Sequence, residues 1–315
     1  MKKDANPKTD KKKRDKKKKK KGPSLSTVIL VLILMAGLGI MLYPTVSDYW
    51  NSFHQTKAIA NYDNVIADMS EEEYAAMLED ARQYNEKLQK LQYPFTQYEQ
   101  LADTYYSVLD VAGTGIIGYV TIGCINVELP IYHGTDDSIL NVAAGHLEGT
   151  SLPVGGEGTH SVISAHRGLP SAKLFTNLDK LVVGDTFTIT VLNQLLTYEV
   201  DQILIVEPAE VDALQAVSDA DYVTLQTCTP YGINTHRLLV RGHRIENPAG
   251  TLYIRAEAVK LPVYIVMPAI IIPILFVLLV ILLVRYRRKP SKITLRDIHP
   301  EQMEDLENEI KEEEP

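Results

Sequence analysis

A potentially reactive side chain lies in the stretch "TLQTCTPYGINTHR", residues 224–237. Cys228, one of two cysteines in the chain, ends an apparent β-strand and is followed at once by the loop "TPYG". A thiol at a strand end that opens into a loop is accessible enough to act as a nucleophile. Two other interpretations stay open: a disulfide with Cys124, or burial as a small apolar side chain. We interpret Cys124 itself as a free core or edge thiol without a catalytic role.

A thiol nucleophile needs a partner for proton transfer and a group that stabilises an oxyanion. The histidines near the predicted strands are candidates for the first role: His133, His146, His160, His166, His236 and His243. Of these, His166 leads into a loop, "RGLPSAKLF", from which its ring can project over a neighbouring strand edge. Arg237 begins the strand after Cys228, so a β-hairpin would place the two on adjacent strands. The alternative for Arg237 is a surface ion pair, and the scattered histidines predict no zinc site.

Two apolar segments predict membrane spans at residues 25–43 and 263–284. The first, "LSTVILVLILMAGLGIMLY", carries no charge and has close to the roughly 20 residues that cross a bilayer as a helix. The second, "VYIVMPAIIIPILFVLLVILLV", contains Pro268 and Pro273, which lipid-embedded helices tolerate. A cleaved signal peptide is the alternative for the first segment, but no A-x-A-like site follows it.

The flanking cations predict the orientation of these spans. A lysine-rich arm, residues 1–24, precedes the first span, and "RYRRKPSK" follows the second. Lysine and arginine beside a span stay on the cytoplasmic side. Both termini are therefore predicted to be cytoplasmic, including the acidic tail within residues 285–315, and the intervening chain is predicted to be extracellular. The basic arm is expected to lie near anionic lipid and not on nucleic acid.

The extracellular part divides into a helical segment, residues 44–104, and a strand-rich segment, residues 105–260. Ser70 and Glu73 have the spacing of a capping box that begins an amphipathic helix. Strands are predicted near "GIIGYVTI", "INVELPIY", "THSVISAH", "TFTITVL", "LLTYEVDQILIVEP", "DYVTLQTC" and "HRLLVRGHR", with another at "LYIRAEAV", and helical interruptions near "SILNVAAGH", "SAKLFTNLDKL" and "EVDALQAVS". This pattern favours a mainly β fold, a closed or nearly closed barrel with short connecting helices.

Several stretches together resemble one family, the sortases. "TLQTCTPYGINTHRLLVRGHR" resembles their T-L-x-T-C box followed by an arginine strand, and "SAHRGLPSAKLFTNLDKL" resembles the segment that carries their histidine. "LPIYHGT" and "GHLEGTSLPVGG" resemble class C sortases, the branch that polymerises pilins. The resemblance covers residues 84–244.

The resemblance implies a β-barrel of about eight strands and a cysteine transpeptidase that needs no metal or organic cofactor. It implies that Cys228 is the nucleophile, His166 the proton donor to the leaving amine, and Arg237 the group that positions substrate and stabilises the oxyanion. The substrates would be pilin or surface proteins with an LPXTG-like sorting signal, which form a thioacyl intermediate that a pilin lysine resolves. Alternatives are a housekeeping sortase that anchors proteins to the cell-wall precursor, and a non-catalytic peptide-binding scaffold with Cys124 and Cys228 joined.

A lid over the active site is also implied by the resemblance to class C enzymes. Their lids commonly carry an Asp-Pro-aromatic motif, and the matching residues here are Tyr93, Pro94 and Phe95. Phe95 can cover Cys228, whereas Tyr93 offers a phenol in place of the carboxylate that would pair with Arg237. Because a charge-assisted hydrogen bond is about twice as strong as a neutral one, this lid is expected to open more easily. The alternative is an ordinary proline turn.

Overall fold

The computed structural model describes residues 25–247 and the helical positions 272–273, 275–277 and 279–281. The predicted basic arm, the acidic tail, the strand at 252–259 and most of the second predicted span lie outside the described residues. The described residues divide into two units, one with residues 25–38 and the helical positions beyond 271, and the other with residues 39–247.

Five helices lie within residues 25–247. They are α1 (Leu25–Asp68), α2 (Glu71–Gln89), α3 (Pro94–Gln97), α4 (Ala102–Ser107) and α5 (Asp137–Leu140), and short 3-10 turns occur at Tyr98–Leu101, Val111–Gly113, Gly123–Ile125, Leu178–Lys180 and Asp212–Leu214. Among the described residues, α1 is the one helix long and apolar enough to cross a membrane, and its apolar window is not buried. An apolar N-terminal helix of this kind suggests membrane anchoring.

The later part of α1 packs against the barrel. The Tyr62 hydroxyl donates to the carbonyl oxygen of Ile117 (2.9 Å) and accepts from the amide of Leu192 (2.7 Å). Asp48 Oδ1 accepts from the amide of Lys173 (2.8 Å), close to the loop that follows the fourth strand. The Tyr62 hydroxyl is buried, and buried polar groups are stabilising when paired in this way, so its bonds fix the helix to Ile117 and Leu192, while the exposed bond of Asp48 adds a contact at Lys173.

The predicted capping box of α2 is present. Ser70 Oγ accepts from the amide of Glu73, and the Glu73 carboxylate accepts from the amide of Ser70 (2.8 Å). The buried face of α2 includes Leu78, Tyr84 and Asn85, which lie on the side that contacts the barrel. A helix that presents one apolar stripe to a core has the pattern expected from the sequence.

Eight strands form a closed barrel: β1 (Ile116–Ile122), β2 (Val127–His133), β3 (Ala144–His146), β4 (Thr159–Ser164), β5 (Thr186–Val191), β6 (Gln194–Val206), β7 (Asp221–Thr229) and β8 (His236–Ile245). Their order around the barrel is β1-β2-β3-β4-β7-β8-β6-β5. The pairs β2/β3 and β4/β7 are parallel, and the other neighbours are antiparallel. The predicted barrel of about eight strands is confirmed.

Strand β3 was not expected, because "SILNVAAGH" was predicted as helix. The helical part ends with α5 at Leu140, and Ala144–His146 then pairs with both β2 and β4. A Cβ at Gly145 would clash with the carbonyl oxygen of Gly134. This close approach requires glycine, and barrel closure overrides the helix propensity of the alanine-rich stretch.

Candidate active site

Cys228 and Arg237 face each other across neighbouring strands. Cys228 lies near the end of β7, Arg237 is the second residue of β8, and the two are direct partners in the antiparallel register. The loop between them turns through hydrogen bonds from the amides of Ile233 and Asn234 to the carbonyl oxygen of Pro230 (3.1 and 3.0 Å). The hairpin expected from the sequence is therefore present.

His166 reaches the same end of the barrel through parallel pairing. Ser164, the last residue of β4, is level with Gln226 on β7, so His166 and Cys228 each lie two residues further along. The pairing continues past the strand, since the amide of Ala165 donates to the Gln226 carbonyl oxygen (3.1 Å) and Thr227 Oγ1 donates to the Ala165 carbonyl oxygen (2.8 Å).

One cavity of about 540 Å³ is lined by Cys228, His166 and Arg237 together. All three side chains are half-buried, so they are held by the fold and still reachable from solvent. A thiol, an imidazole and a guanidinium around one space can supply a nucleophile, a proton donor and acceptor, and a fixed cation for a developing oxyanion.

Comparison with known proteins identifies the family. Residues 120–245 match the model of the sortase domain. The crystal structure of sortase C1 from Streptococcus agalactiae is 49% identical, with a TM-score of 0.57, and the match covers 61% of this chain and 99% of that one. The chain belongs to the sortase family. Its membership of this family of cysteine transpeptidases, predicted from the sequence, is confirmed.

Other sortases are similar to this chain at lower sequence identity. Streptococcus pneumoniae sortase C, whose structure was described for catalysis and pilin substrate specificity, is 45% identical with a TM-score of 0.54, covering 61% of this chain and 97% of that one. Sortase D of Bacillus subtilis is 28% identical over 131 residues, which are 41% of this chain and 63% of that protein. The structural neighbours are thus class C sortases.

The predicted lid residues divide between two sides of α3. Phe95 lines the cavity of this sortase and packs against the buried cluster of Val162, Leu214 and Leu239. Tyr93 is 59% exposed, and its hydroxyl accepts from the side-chain amide of Gln92 (3.1 Å). Tyr93 and Pro94 do not line this cavity, so among the three predicted lid residues Phe95 makes the contact with it.

A second cavity, of about 650 Å³, lies on the other face of the lid. Tyr93, Pro94 and Phe95 line it together with residues of α2 and the segment before β4. The amides of Thr96 and Gln97 both donate to the carbonyl oxygen of Tyr93 (3.1 and 3.0 Å), so the lid is a compact helical turn. Phe95 lines both cavities.

Arg167, next to His166, fixes the histidine loop and was missed in the sequence. Its side chain is 9% exposed, forms an ion pair with Asp179, and lies 5.8 Å from the centre of the Tyr231 ring. Its Nη1 is also 3.5 Å from Thr229 Oγ1, at the end of β7. A planar guanidinium between an acid and a ring is held in one orientation. The signal in the sequence was a cation directly beside a candidate catalytic histidine.

Glu148 also lines the catalytic cavity, and a hydrogen bond from Tyr106 holds its carboxylate. The Tyr106 hydroxyl donates to Glu148 Oε1 (2.7 Å), and this bond to the carboxylate, with partial burial, raises the pKa of Tyr106 to about 12. Asp137 and Glu210 also line the cavity. Acidic side chains near a cysteine give the entrance a negative potential that favours cationic groups.

Three of the remaining histidines are buried away from the cavity. Burial lowers the pKa of His133 and His160, and that of His146 to about 3. His146 Nδ1 is 2.9 Å from the Tyr105 hydroxyl and its Nε2 is 2.8 Å from the Ser151 carbonyl oxygen. Such rings stay neutral and act as hydrogen-bonding parts of the core. His236 and His243 lie on β8 and do not line the catalytic cavity.

Both cysteines of the chain are free. Cys124 is exposed in the 3-10 turn after β1, and Cys228 is half-buried in the cavity, so the alternative with a Cys124–Cys228 disulfide is not realised. In the described part of the chain, residues 25–247 and the short pieces beyond 271, no group of three histidine, cysteine or acidic residues could hold a metal ion.

Proposed function

We propose that this protein is a membrane-anchored transpeptidase that cleaves an LPXTG-like sorting signal and joins the released acyl group to an amine, most specifically a pilin lysine. The single observation that carries the proposal is the common cavity of Cys228, His166 and Arg237. The class C neighbours support the pilin acceptor, because pilin substrate specificity is described for the Streptococcus pneumoniae enzyme.

The reaction uses each of the three side chains once in each half. The proton of the Cys228 thiol passes to His166 as Sγ attacks the threonine carbonyl carbon, the bond to the glycine nitrogen breaks, and a thioester forms. His166 gives its proton to the departing amine. The acceptor amine then attacks the thioester carbon, passes a proton to His166, and releases the Cys228 thiolate as an isopeptide or peptide bond forms. Arg237 donates hydrogen bonds to the carbonyl oxygen in both tetrahedral states.

The lid regulates entry to this cavity in the proposed function. Phe95 occupies one wall of the site through apolar contacts, and no charge-assisted bond from Tyr93 adds to them, since Tyr93 lies on the solvent side. The sorting signal would displace Phe95 and occupy the space that it leaves. A neutral, packed lid is in keeping with a site that a peptide opens by competition.

Anchoring completes the proposal. The predicted spans at 25–43 and 263–284 would hold the catalytic barrel at the extracellular face, with both termini cytoplasmic. The apolar first part of α1 supports the first span. The acidic wall of the cavity, with Glu148, Asp137 and Glu210, suits a cationic acceptor such as a lysine side chain.

Mass analysis of the full-length protein in detergent tests the function. Incubation with a Leu-Pro-Ala-Thr-Gly peptide should leave an acyl adduct on Cys228, and the Cys228→Ala variant should carry none. The Cys124→Ser variant is the matched control and should form the adduct normally. A pilin precursor supplied as acceptor should yield a ladder of covalent polymers, whereas products attached to the wall precursor alone would favour the housekeeping alternative. Absence of an adduct would refute the proposal.

A further inference from the structure

Two polar side chains that line the catalytic cavity each have a buried atom without a hydrogen-bond partner among the described residues. Ser164 on β4 and Gln226 on β7 both line the cavity, and they are direct neighbours in the parallel register. Ser164 is 7% exposed, and its Oγ is buried without a hydrogen bond. The Oε1 atom of half-buried Gln226 is likewise buried without one.

The other polar side chains nearby on β7 are paired within the fold. Thr224 Oγ1 is 2.7 Å from His160 Nε2, and Thr227 Oγ1 donates to the Ala165 carbonyl oxygen (2.8 Å). Buried polar atoms are rarely left unpaired, because they lose hydration without a replacement. An unpaired acceptor and an unpaired hydroxyl side by side in a substrate cavity therefore indicate a group that the ligand supplies.

The register places this pair at a defined distance from the reacting atoms. Gln226 and Cys228 are two residues apart on β7 and share one of its faces, and Ser164 and His166, also two residues apart, both line the same cavity. Two residues of strand span roughly 7 Å, which is also the span of two residues of an extended peptide. The polar pair is thus level with the substrate residues adjoining the threonine that forms the thioester.

The burial of the pair decides which side of the scissile bond it faces. The leaving group must be replaced by an amine from a second protein, so the acceptor side of Cys228 has to stay open. Ser164 is 7% exposed, whereas Cys228 and His166 are half-buried, so the cavity is more enclosed at Ser164. The enclosed side therefore suits the acyl portion, which stays bound through both halves of the reaction.

We infer that Ser164 and Gln226 bind the peptide group that joins the second and third residues of an L-P-X-T-G-like signal. Gln226 Oε1 accepts from the N–H of the X residue, and the Ser164 hydroxyl donates to the carbonyl oxygen of the preceding proline. The inference rests on the proposed transpeptidase function and adds to it a requirement for a free N–H at X.

The test compares two peptides on the full-length protein in detergent. One is Leu-Pro-Ala-Thr-Gly, and the other replaces the N–H of the alanine by an ester oxygen. In the wild type, kcat/KM for formation of the Cys228 adduct should fall roughly tenfold with the ester, since the buried amide oxygen is left unpaired. In Gln226→Met the ratio between the two peptides should shrink to less than about threefold. The ratio within one variant does not depend on how much of that variant is folded.

A matched control lies on the same strand. Ser161 on β4 is also buried with an unpaired hydroxyl, but it does not line the cavity. Ser161→Ala should keep the wild-type ratio, while Ser164→Ala should lower it. Equal ratios in the wild type and Gln226→Met would overturn the inference, as would an ester that reacts as fast as the amide, which would mean that water satisfies the pair. Failure of the wild type to form an adduct with either peptide would overturn the proposed function itself.

Discussion

Truncating Phe95 to alanine should make Cys228 much more reactive towards alkylating reagents. Phe95 is half-buried and packs on the cluster of Val162, Leu214 and Leu239, next to the catalytic cavity. Full burial of a phenylalanine side chain contributes about 1.5 to 3 kcal/mol. Half of that burial gives about 0.75 to 1.5 kcal/mol to lid closure, which corresponds to roughly a three- to twelvefold change in the open population.

The assay is the rate of iodoacetamide modification of Cys228 in a Cys124→Ser background. If the closed lid protects the thiol, Phe95→Ala should react roughly three- to twelvefold faster than the parent protein. Tyr93→Ala is the matched control, because Tyr93 is 59% exposed and contacts Gln92 instead of the cavity. Its rate should change by less than about twofold. Equal acceleration by both variants would refute the reasoning, since it would mean that Tyr93 also holds the lid; no acceleration by Phe95→Ala would show that the lid does not protect the thiol.

Three further predictions concern the surroundings of the site. Asn85→Leu should lower the unfolding free energy measured in urea by about 2 to 5 kcal/mol, because Asn85 forms hydrogen bonds with both the amide (2.7 Å) and the carbonyl oxygen (3.1 Å) of Leu152. Gln83 is exposed on the same helix, so Gln83→Ala should change the unfolding free energy by less than about 0.5 kcal/mol. Asp179→Ala, which removes the ion-pair partner of Arg167, should lower kcat severalfold with little change in the KM for the donor peptide. Asp179→Glu should restore part of the lost kcat. An unchanged kcat in Asp179→Ala would exclude a role of the Arg167–Asp179 pair in positioning His166. Burial lowers the pKa of His146 in the folded protein to about 3, so between about pH 3 and about pH 6.5 the unfolded state binds a proton that the folded state does not. The free energy of unfolding should therefore fall as pH drops below about 6.5, by up to about 1.4 kcal/mol per pH unit. The fall should be less steep in His146→Gln.

The sequence predicted those parts of the molecule whose determinants are local. The capping box of α2 and the hairpin that pairs Cys228 with Arg237 depend on residues a few positions apart, and both are present. Turn chemistry and alternation carry that information. The histidine proposed as catalytic could not be selected in this way, because the parallel pairing of β4 and β7 joins segments that are distant in the chain. The family resemblance supplied His166.

The features missed in the sequence share a dependence on tertiary contacts. β3 forms because two neighbouring strands leave a gap that Gly145 can fill without a Cβ clash. The role of Arg167 depends on its ion pair with Asp179, and the role inferred for Ser164 and Gln226 depends on the cavity that both line. Strand alternation did contain one usable signal, since a residue two positions before a nucleophile shares its face. A glutamine there, at Gln226, was visible in "TLQTC".

The parallel register of β4 and β7 makes the assembly of the site depend on completed folding of the barrel. His166 and Cys228 meet only while these two strands are paired, and a slip of one residue would turn one of the two side chains to the opposite face. A chain that has not yet joined them carries a thiol without its proton partner. In the proposed function, nascent or locally unfolded molecules would therefore not react with sorting signals. Acyl transfer would begin only once β4 and β7 are paired.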